Sequence, residues 1–381
     1  MRISVMLYLA TTVGLLFAGF VTDNISWRLI FLPNVIFAVA GICLLLRNYP
    51  DVPLRSDPRL RNVDKWGIAL LGIAIISLQV ILSRGEIDDW FGSSLLQSLA
   101  WIAVLAMLTF VIWEISGKNP HPLLRLHLIR TRPVLASTCL GIFAGIILSG
   151  SIYALPEFLR GVDPNELSAT DTGLIMCVYA LTAASIRPLV TTSIAKFGQR
   201  KVVTFALVML IGSMLLFERL ITIGTPVTYY VLPLMLYAFC LAPMLSSIGG
   251  GTVAKVAQEH QLDAVAIYMT FRQFGASLGV ALITIVLHRR ETLHSGRLFE
   301  HLRSGNGVMT QWTHSIGQVI NARDGYSSHE SMRMALKVLA EAGARQASAL
   351  AYADAFHFMA LIGIFCLCLV PIMPPTPVAK S

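Results

Sequence analysis

Ala266-Ile267-Tyr268-Met269-Thr270-Phe271-Arg272-Gln273-Phe274-Gly275-Ala276-Ser277-Leu278-Gly279-Val280-Ala281 places a permanent charge and an amide inside a run that otherwise has the composition of a membrane-spanning helix. An arginine near the centre of a span costs roughly 3 kcal/mol on the insertion scale, whereas each central Leu, Ile, Val or Phe returns about 0.3 to 0.6. The large apolar residues from Val265 to Leu287 together supply roughly 3 to 6 kcal/mol, so this helix inserts with little margin. Gly275 and Gly279 form a GxxxG face on which a neighbouring helix can approach closely. Lipid is a poor setting for Arg272; a bundle interior or a watery cavity is a good one.

The rest of the chain supplies the bundle. Its 381 residues are 55% hydrophobic and only 13% charged, and its mean hydropathy is +0.70. That composition lies outside the range of soluble domains and marks a polytopic membrane protein. Taking about twenty residues as the spanning length, ten spans are predicted near 3–21, 29–46, 66–83, 95–115, 133–156, 171–195, 202–221, 227–249, 265–287 and 352–373. The first is long enough to span and lacks a convincing cleavage site, so a cleavable signal peptide is not expected.

Loop charges set the expected orientation. One set of loops carries Arg47, Arg55, Arg59, Arg61, Lys65, Lys118, Arg125, Arg130, Arg132, Lys196, Arg200, Lys201 and Lys255, with Arg2 and Lys380 at the termini. The alternate set carries only Arg28, Arg84, Arg160 and Arg219. The positive-inside rule then predicts that both termini lie in the cytoplasm. The net charge of +8 is therefore topological, and a nucleic-acid partner is not expected. The six cysteines, Cys43, Cys139, Cys177, Cys240, Cys366 and Cys368, fall inside apolar runs without a CxxC pair and read as small apolar filler.

Residues 288–351 form a long segment that this orientation places outside. Ser327 and Glu330 have the spacing of a capping box, and Met332, Leu336 and Leu339 recur at helical spacing. An amphipathic helix is predicted from about 328 to 350, running on toward the last span. It serves either as a surface helix along the bundle or as a docking site for a partner protein.

Several stretches, in order, resemble one family. Thr22-Asp23-Asn24-Ile25-Ser26-Trp27-Arg28-Leu29-Ile30-Phe31 resembles the junction after the fifth span of the EmrB/QacA-type fourteen-span drug:proton antiporters of the major facilitator superfamily. Asp88-Asp89-Trp90-Phe91-Gly92-Ser93 resembles the external turn of that branch's extra central hairpin, and Asn119-Pro120-His121-Pro122-Leu123-Leu124-Arg125 the start of the linker that follows it. Arg272-Gln273-Phe274-Gly275-Ala276-Ser277-Leu278-Gly279 is similar to the thirteenth span, and Tyr352-Ala353-Asp354-Ala355-Phe356 to the entry of the fourteenth.

The resemblance implies an all-α membrane protein, a major-facilitator-type bundle of about ten transmembrane helices that is N-terminally truncated by four spans. Residues 1–46 would be the remnant of an N-terminal bundle, 47–132 the cytoplasmic linkers and extra hairpin, and 133–381 a C-terminal six-helix bundle. It implies a multi-pass multidrug efflux permease of a bacterial inner membrane, exchanging amphipathic or cationic compounds for protons, here as an incomplete fragment. A periplasmic adaptor protein docking on 288–351 is implied as well. The alternative is a non-transporting membrane protein that binds a partner through that same segment. The family's fifth-span motif, of the form GPxxGG, reads Gly14-Leu15-Leu16-Phe17-Ala18-Gly19 here. Leu15 removes the proline kink, and only Gly14, Ala18 and Gly19 remain of the motif's small residues.

Arg272 and Gln273 are the leading candidates for contact with substrate or for coupling to protons, facing a cavity between the two bundles; the competing account is a structural link between helices. Arg187 precedes Pro188 and has a stem long enough to snorkel toward the cytoplasm. Glu114, Glu157 and Asp354 stand at membrane edges, and His357, one turn after Asp354, is placed to share a proton with it. No cofactor and no metal site is expected. An enzyme is not expected either: the sequence has no HExxH, no GxSxG, no phosphate loop and no close pair of intramembrane carboxylates.

Overall fold

A computed structural model describes residues 2–48, 64–116, 119, 122–162, 167–253, 256–303, 307–324 and 326–373. These residues form α1 (Arg2–Asn24), α2 (Leu32–Asn48), α3 (Lys65–Arg84), α4 (Ser94–Ile115), α5 (Arg132–Gly161), α6 (Ala169–Phe197), α7 (Gln199–Leu220), α8 (Val231–Val253), α9 (Gln261–Arg303), α10 (Gly307–Asp324) and α11 (Ser328–Leu369), and among the described residues there is no strand. Each of the ten expected spans coincides with a helix, and among the described residues eight helices are long and apolar enough to cross a membrane. The remaining helix, α10, lies in the segment expected outside.

Helices α5 to α9 and α11 share one buried core, centred on Leu140, Ile147, Phe158, Leu207, Met214, Tyr237, Ile283 and Phe356. Two polar groups inside it show how a low-dielectric interior satisfies such atoms. The fully buried Tyr237 hydroxyl donates to the Leu148 carbonyl at 3.0 Å, and Ser213 donates to the Pro233 carbonyl at 2.7 Å. Helices α5 and α9 form the tightest pair. A Cβ on Gly275 would collide with the carbonyl oxygen of Ile142, one on Gly279 with that of Ile146, and one on Gly145 with that of Arg272. The GxxxG face expected on α9 is thus met by a matching glycine on α5, and the two backbones touch.

The remaining spans attach at the margins. Helix α1 runs along α6, whereas α3 and α4 form a hairpin that reaches α9 and the linker after α4. Helix α2 buries none of its residues; Phe37 is 74% exposed and Leu46 is 79% exposed. That is the signature of a helix bathed in lipid or waiting for neighbours.

Helix α9 has 43 residues and is therefore about 64 Å long, twice the ~30 Å of a hydrocarbon core. Its last third projects beyond the bundle; α11 packs along α9, and α10 packs against α11. The start of α11 bears out the capping box: the Ser327 hydroxyl accepts from the Glu330 amide at 3.3 Å, and the Glu330 carboxylate accepts from the Ser327 amide at 3.3 Å. Hydrogen bonds from the Ser327 side chain and backbone hold the Glu330 carboxyl below its ordinary value of 4.5. A folded-state value that is lowered contributes stability above the unfolded value and loses it as pH falls through the folded one. Amide protection over residues 329–332, corrected for intrinsic exchange, is therefore expected to fall as pH drops below 4.5, and Glu330→Gln to remove that dependence.

Candidate functional site

The linker after α4 is pinned at several points, and this pinning builds the site. Asp64 accepts from the Gly67 amide at 2.8 Å, from the Trp113 indole at 3.1 Å and from Asn119 at 2.6 Å, which closes the base of the α3–α4 hairpin. Glu114 accepts from the Leu123 amide at 3.0 Å. Arg125 then reaches the start of α9, 3.3 Å from the Asp263 carboxylate and 2.9 Å from the His260 ring. With the linker held this way, Phe110, Leu124, Leu128, Val134, Ala264 and Ile267 share a second buried core.

Between the hairpin, the linker and α9 lies a cavity of about 560 Å³, within the range of sites for drug-sized molecules. Its walls are Leu71 and Ile75 of α3, Met107, Phe110 and Val111 of α4, Leu124 and Leu126 of the linker, and Met269 to Phe274 with Ser277 of α9. Gly275 and Gly279 fix the rotation of α9 by facing α5, and Met269, Gln273 and Ser277 consequently line an adjoining stripe, four residues apart. Arg272 is half-buried and is the one ionisable side chain among the described lining residues. Its Nε is buried and has no hydrogen-bond partner among the described residues. A buried guanidinium N–H left unpaired is costly, so a ligand that brings an acceptor to Arg272 gains what the protein withholds.

The site residues expected from sequence are not gathered in one place. Arg272 and Gln273 share the cavity, and its walls in this chain are the hairpin, the linker and α9 itself. Arg187 is half-buried in α6 and does not line the cavity. Asp354 and His357 do not pair with each other. Asp354 turns to α9, 2.8 Å from His294 and 3.6 Å from Arg290. His357 turns to α7, with its Nδ1 3.0 Å from the Glu218 carboxylate. Three residues along a helix place two side chains about 60° apart, enough here for each to face a different neighbour. Glu157 borders a shallow polar pocket with Arg160 and Arg345.

The remnant motif on α1 divides similarly. Gly14 faces open space, whereas Gly19 is where α1 meets α6: a Cβ there would lie 2.6 Å from the Ala169 carbonyl oxygen. In return, a Cβ on Gly173 of α6 would lie 2.7 Å from the Leu15 carbonyl oxygen. Ala18 is partly buried beside this contact, and its carbonyl accepts from Thr22 at 2.6 Å. The seam ends in a residue whose role the sequence reading missed. Asp23 accepts from the Ala169 amide at 3.1 Å, the Thr170 amide at 2.7 Å and the Thr170 hydroxyl at 2.6 Å, so the end of α1 caps the start of α6. The available signal was a capping box, Ser168 with Asp171, marking a helix start with amides to spare. Arg125 and His294 were missed as tethers as well; both pair across long stretches of chain.

Comparison with known proteins adds the following. A model described as the Major Facilitator Superfamily matches residues 2–280. "Multidrug export protein EmrB" of Escherichia coli K12 is 27% identical over 306 residues, covering 80% of this chain and 58% of that protein. The Haemophilus influenzae protein of the same name is 24% identical over 318 residues, covering 83% of this chain and 61% of its own length. "Probable multidrug resistance protein EmrY" of E. coli K12 is 25% identical over 342 residues, covering 86% of this chain and 64% of that protein. The chain thus spans between 58% and 64% of the length of these three relatives.

Proposed function

The chain belongs to the Major Facilitator Superfamily, and from that premise we propose that it acts in a proton-coupled multidrug efflux permease that exports amphipathic compounds by alternating access. The observation that carries this reading is the apolar cavity with Arg272 at its wall. Names of relatives support it, since EmrB and EmrY are described as multidrug export or resistance proteins. A lone guanidinium among apolar walls favours amphiphiles that present an acceptor or an acidic group. Cationic substrates would need carboxylates from elsewhere in the complete transporter.

In this proposal residues 133–381 move as one bundle, α1 and α2 belong to its counterpart, and both termini lie in the cytoplasm of a bacterial inner membrane. Protons pass by carboxylates at the span ends, with the Asp354–His294 pair in the best position for one at the projecting end. The projection itself leaves Trp312 60% exposed and Val319 65% exposed. These residues favour a protein partner there, an adaptor in the efflux reading or an unrelated one if the chain does not transport.

Expression from the full reading frame in a drug-sensitive bacterial host tests the proposal. Arg272→Ala is expected to lower proton-dependent export about tenfold, consistent with the loss of a charge-assisted hydrogen bond, without lowering membrane abundance. Unchanged export with equal abundance would make Arg272 a structural residue.

A further inference from the structure

A second pocket, of about 420 Å³, opens at the turn between α6 and α7. Gly198, at a φ of 82°, adopts a left-handed conformation there, so α7 begins directly after α6 and Lys196 and Lys201 stand on the same turn. The pocket's walls are apolar, among them Leu189, Phe197, Phe205 and Phe239; among the described residues its polar lining is Lys201 and Ser193. Leu189 is 62% exposed and Phe205 is 54% exposed, so the slot opens sideways onto the surface that lipid tails bathe.

The charge at its mouth has no acidic counterpart among the described residues. From Thr172 to Phe217 the chain contains no aspartate or glutamate. Neighbouring Arg200 is occupied by the Pro371 and Met373 carbonyls, whereas Lys201 is exposed and forms no ion pair among the described residues. An apolar slot opening toward lipid, with an uncompensated ammonium at the level of the span ends, matches one kind of molecule in a membrane. A soluble anion has no use for the slot, and a zwitterionic lipid brings no net charge for the lysine.

We propose that this pocket holds an acyl chain of an anionic phospholipid whose phosphate is met by Lys201. The proposal rests on the chain spanning a membrane and is independent of what it transports. Native mass spectrometry of the purified chain, given equal phosphatidylglycerol and phosphatidylcholine in mild detergent, tests it. Phosphatidylglycerol is expected to be retained about fivefold better, the effect of one basic side chain near an anionic surface. Lys201→Gln should bring the two lipids to parity, Lys201→Arg should keep the preference, and Leu189→Trp should lower retention of both by filling the slot. Equal retention of both lipids by the native chain would overturn the proposal. So would a preference unchanged in Lys201→Gln, or displacement of bound lipid by millimolar inorganic phosphate.

Discussion

Replacing Gly275 and Gly279 together by leucine is expected to abolish recovery of folded protein. The α5–α9 pair is the most intimate contact in the bundle, and it is made by backbone against backbone. Each added side chain would have to occupy space held by the Ile142 or Ile146 carbonyl, atoms that cannot rotate away as a flexible side chain would. Overpacking a well-filled contact costs about 1–3 kcal/mol per site, and relief here requires the two helices to separate. Separation would also turn α9 and dismantle the wall that carries Arg272. The readout is the monodisperse fraction after extraction in mild detergent, with the same substitution at Gly14, which faces open space, as the control that should behave like the native protein. Recovery of the double variant at the native level would show that the helices do not touch in this way.

Loss of the Asp23 carboxylate is expected to open the seam between α1 and α6. Beyond the cap itself, the seam includes Gly19 and Gly173 in close approach, Leu15 packed against the main core, and the Cys177 thiol, 3.5 Å from the Thr12 carbonyl oxygen. The hydrogen bonds at Asp23 fasten the end of that seam, with a carboxylate placed favourably at the positive end of α6. Cys177 is buried in the seam and serves as a built-in reporter. In a variant keeping Cys177 as its single cysteine, Asp23→Ala should raise the rate of thiol alkylation by about tenfold, the scale of a lost N-cap. Ser168→Ala, which weakens α6's own capping box without releasing α1, should change it little. An unchanged rate in Asp23→Ala would mean that α1 is held by something else.

The contrast between these two contacts shows what the sequence could and could not reveal. Spans, the capping box at Ser327 and the glycine face of α9 are local patterns, written by residues a few positions apart, and each was found where expected. The small residues of α5 that receive α9, Gly141 and Gly145, have the same four-residue spacing and were available as a signal. The Asp23 cap joins residues 146 or more apart, and the Arg125–His260 contact joins residues 135 apart; no periodicity connects such partners. Asp354 and His357 show the opposite error. Neighbours in sequence were expected to pair, but the helix surface aimed each at a different element. Arg272 falls between the two cases: its need for a cavity followed from the cost of burying charge, whereas the walls of that cavity depended on how the hairpin folds back.

Photolabelling of the purified chain with an amphiphile that carries a carboxylate and a photoreactive apolar tail tests the central claim most directly. Digestion and mass spectrometry should find the label on the α4 stretch 107–111 and the α9 stretch 269–277 together, and Arg272→Gln should lower labelling of both about tenfold. Labelling spread evenly over lipid-facing helices, or labelling of these two stretches that is indifferent to Arg272→Gln, would contradict a binding cavity built around Arg272.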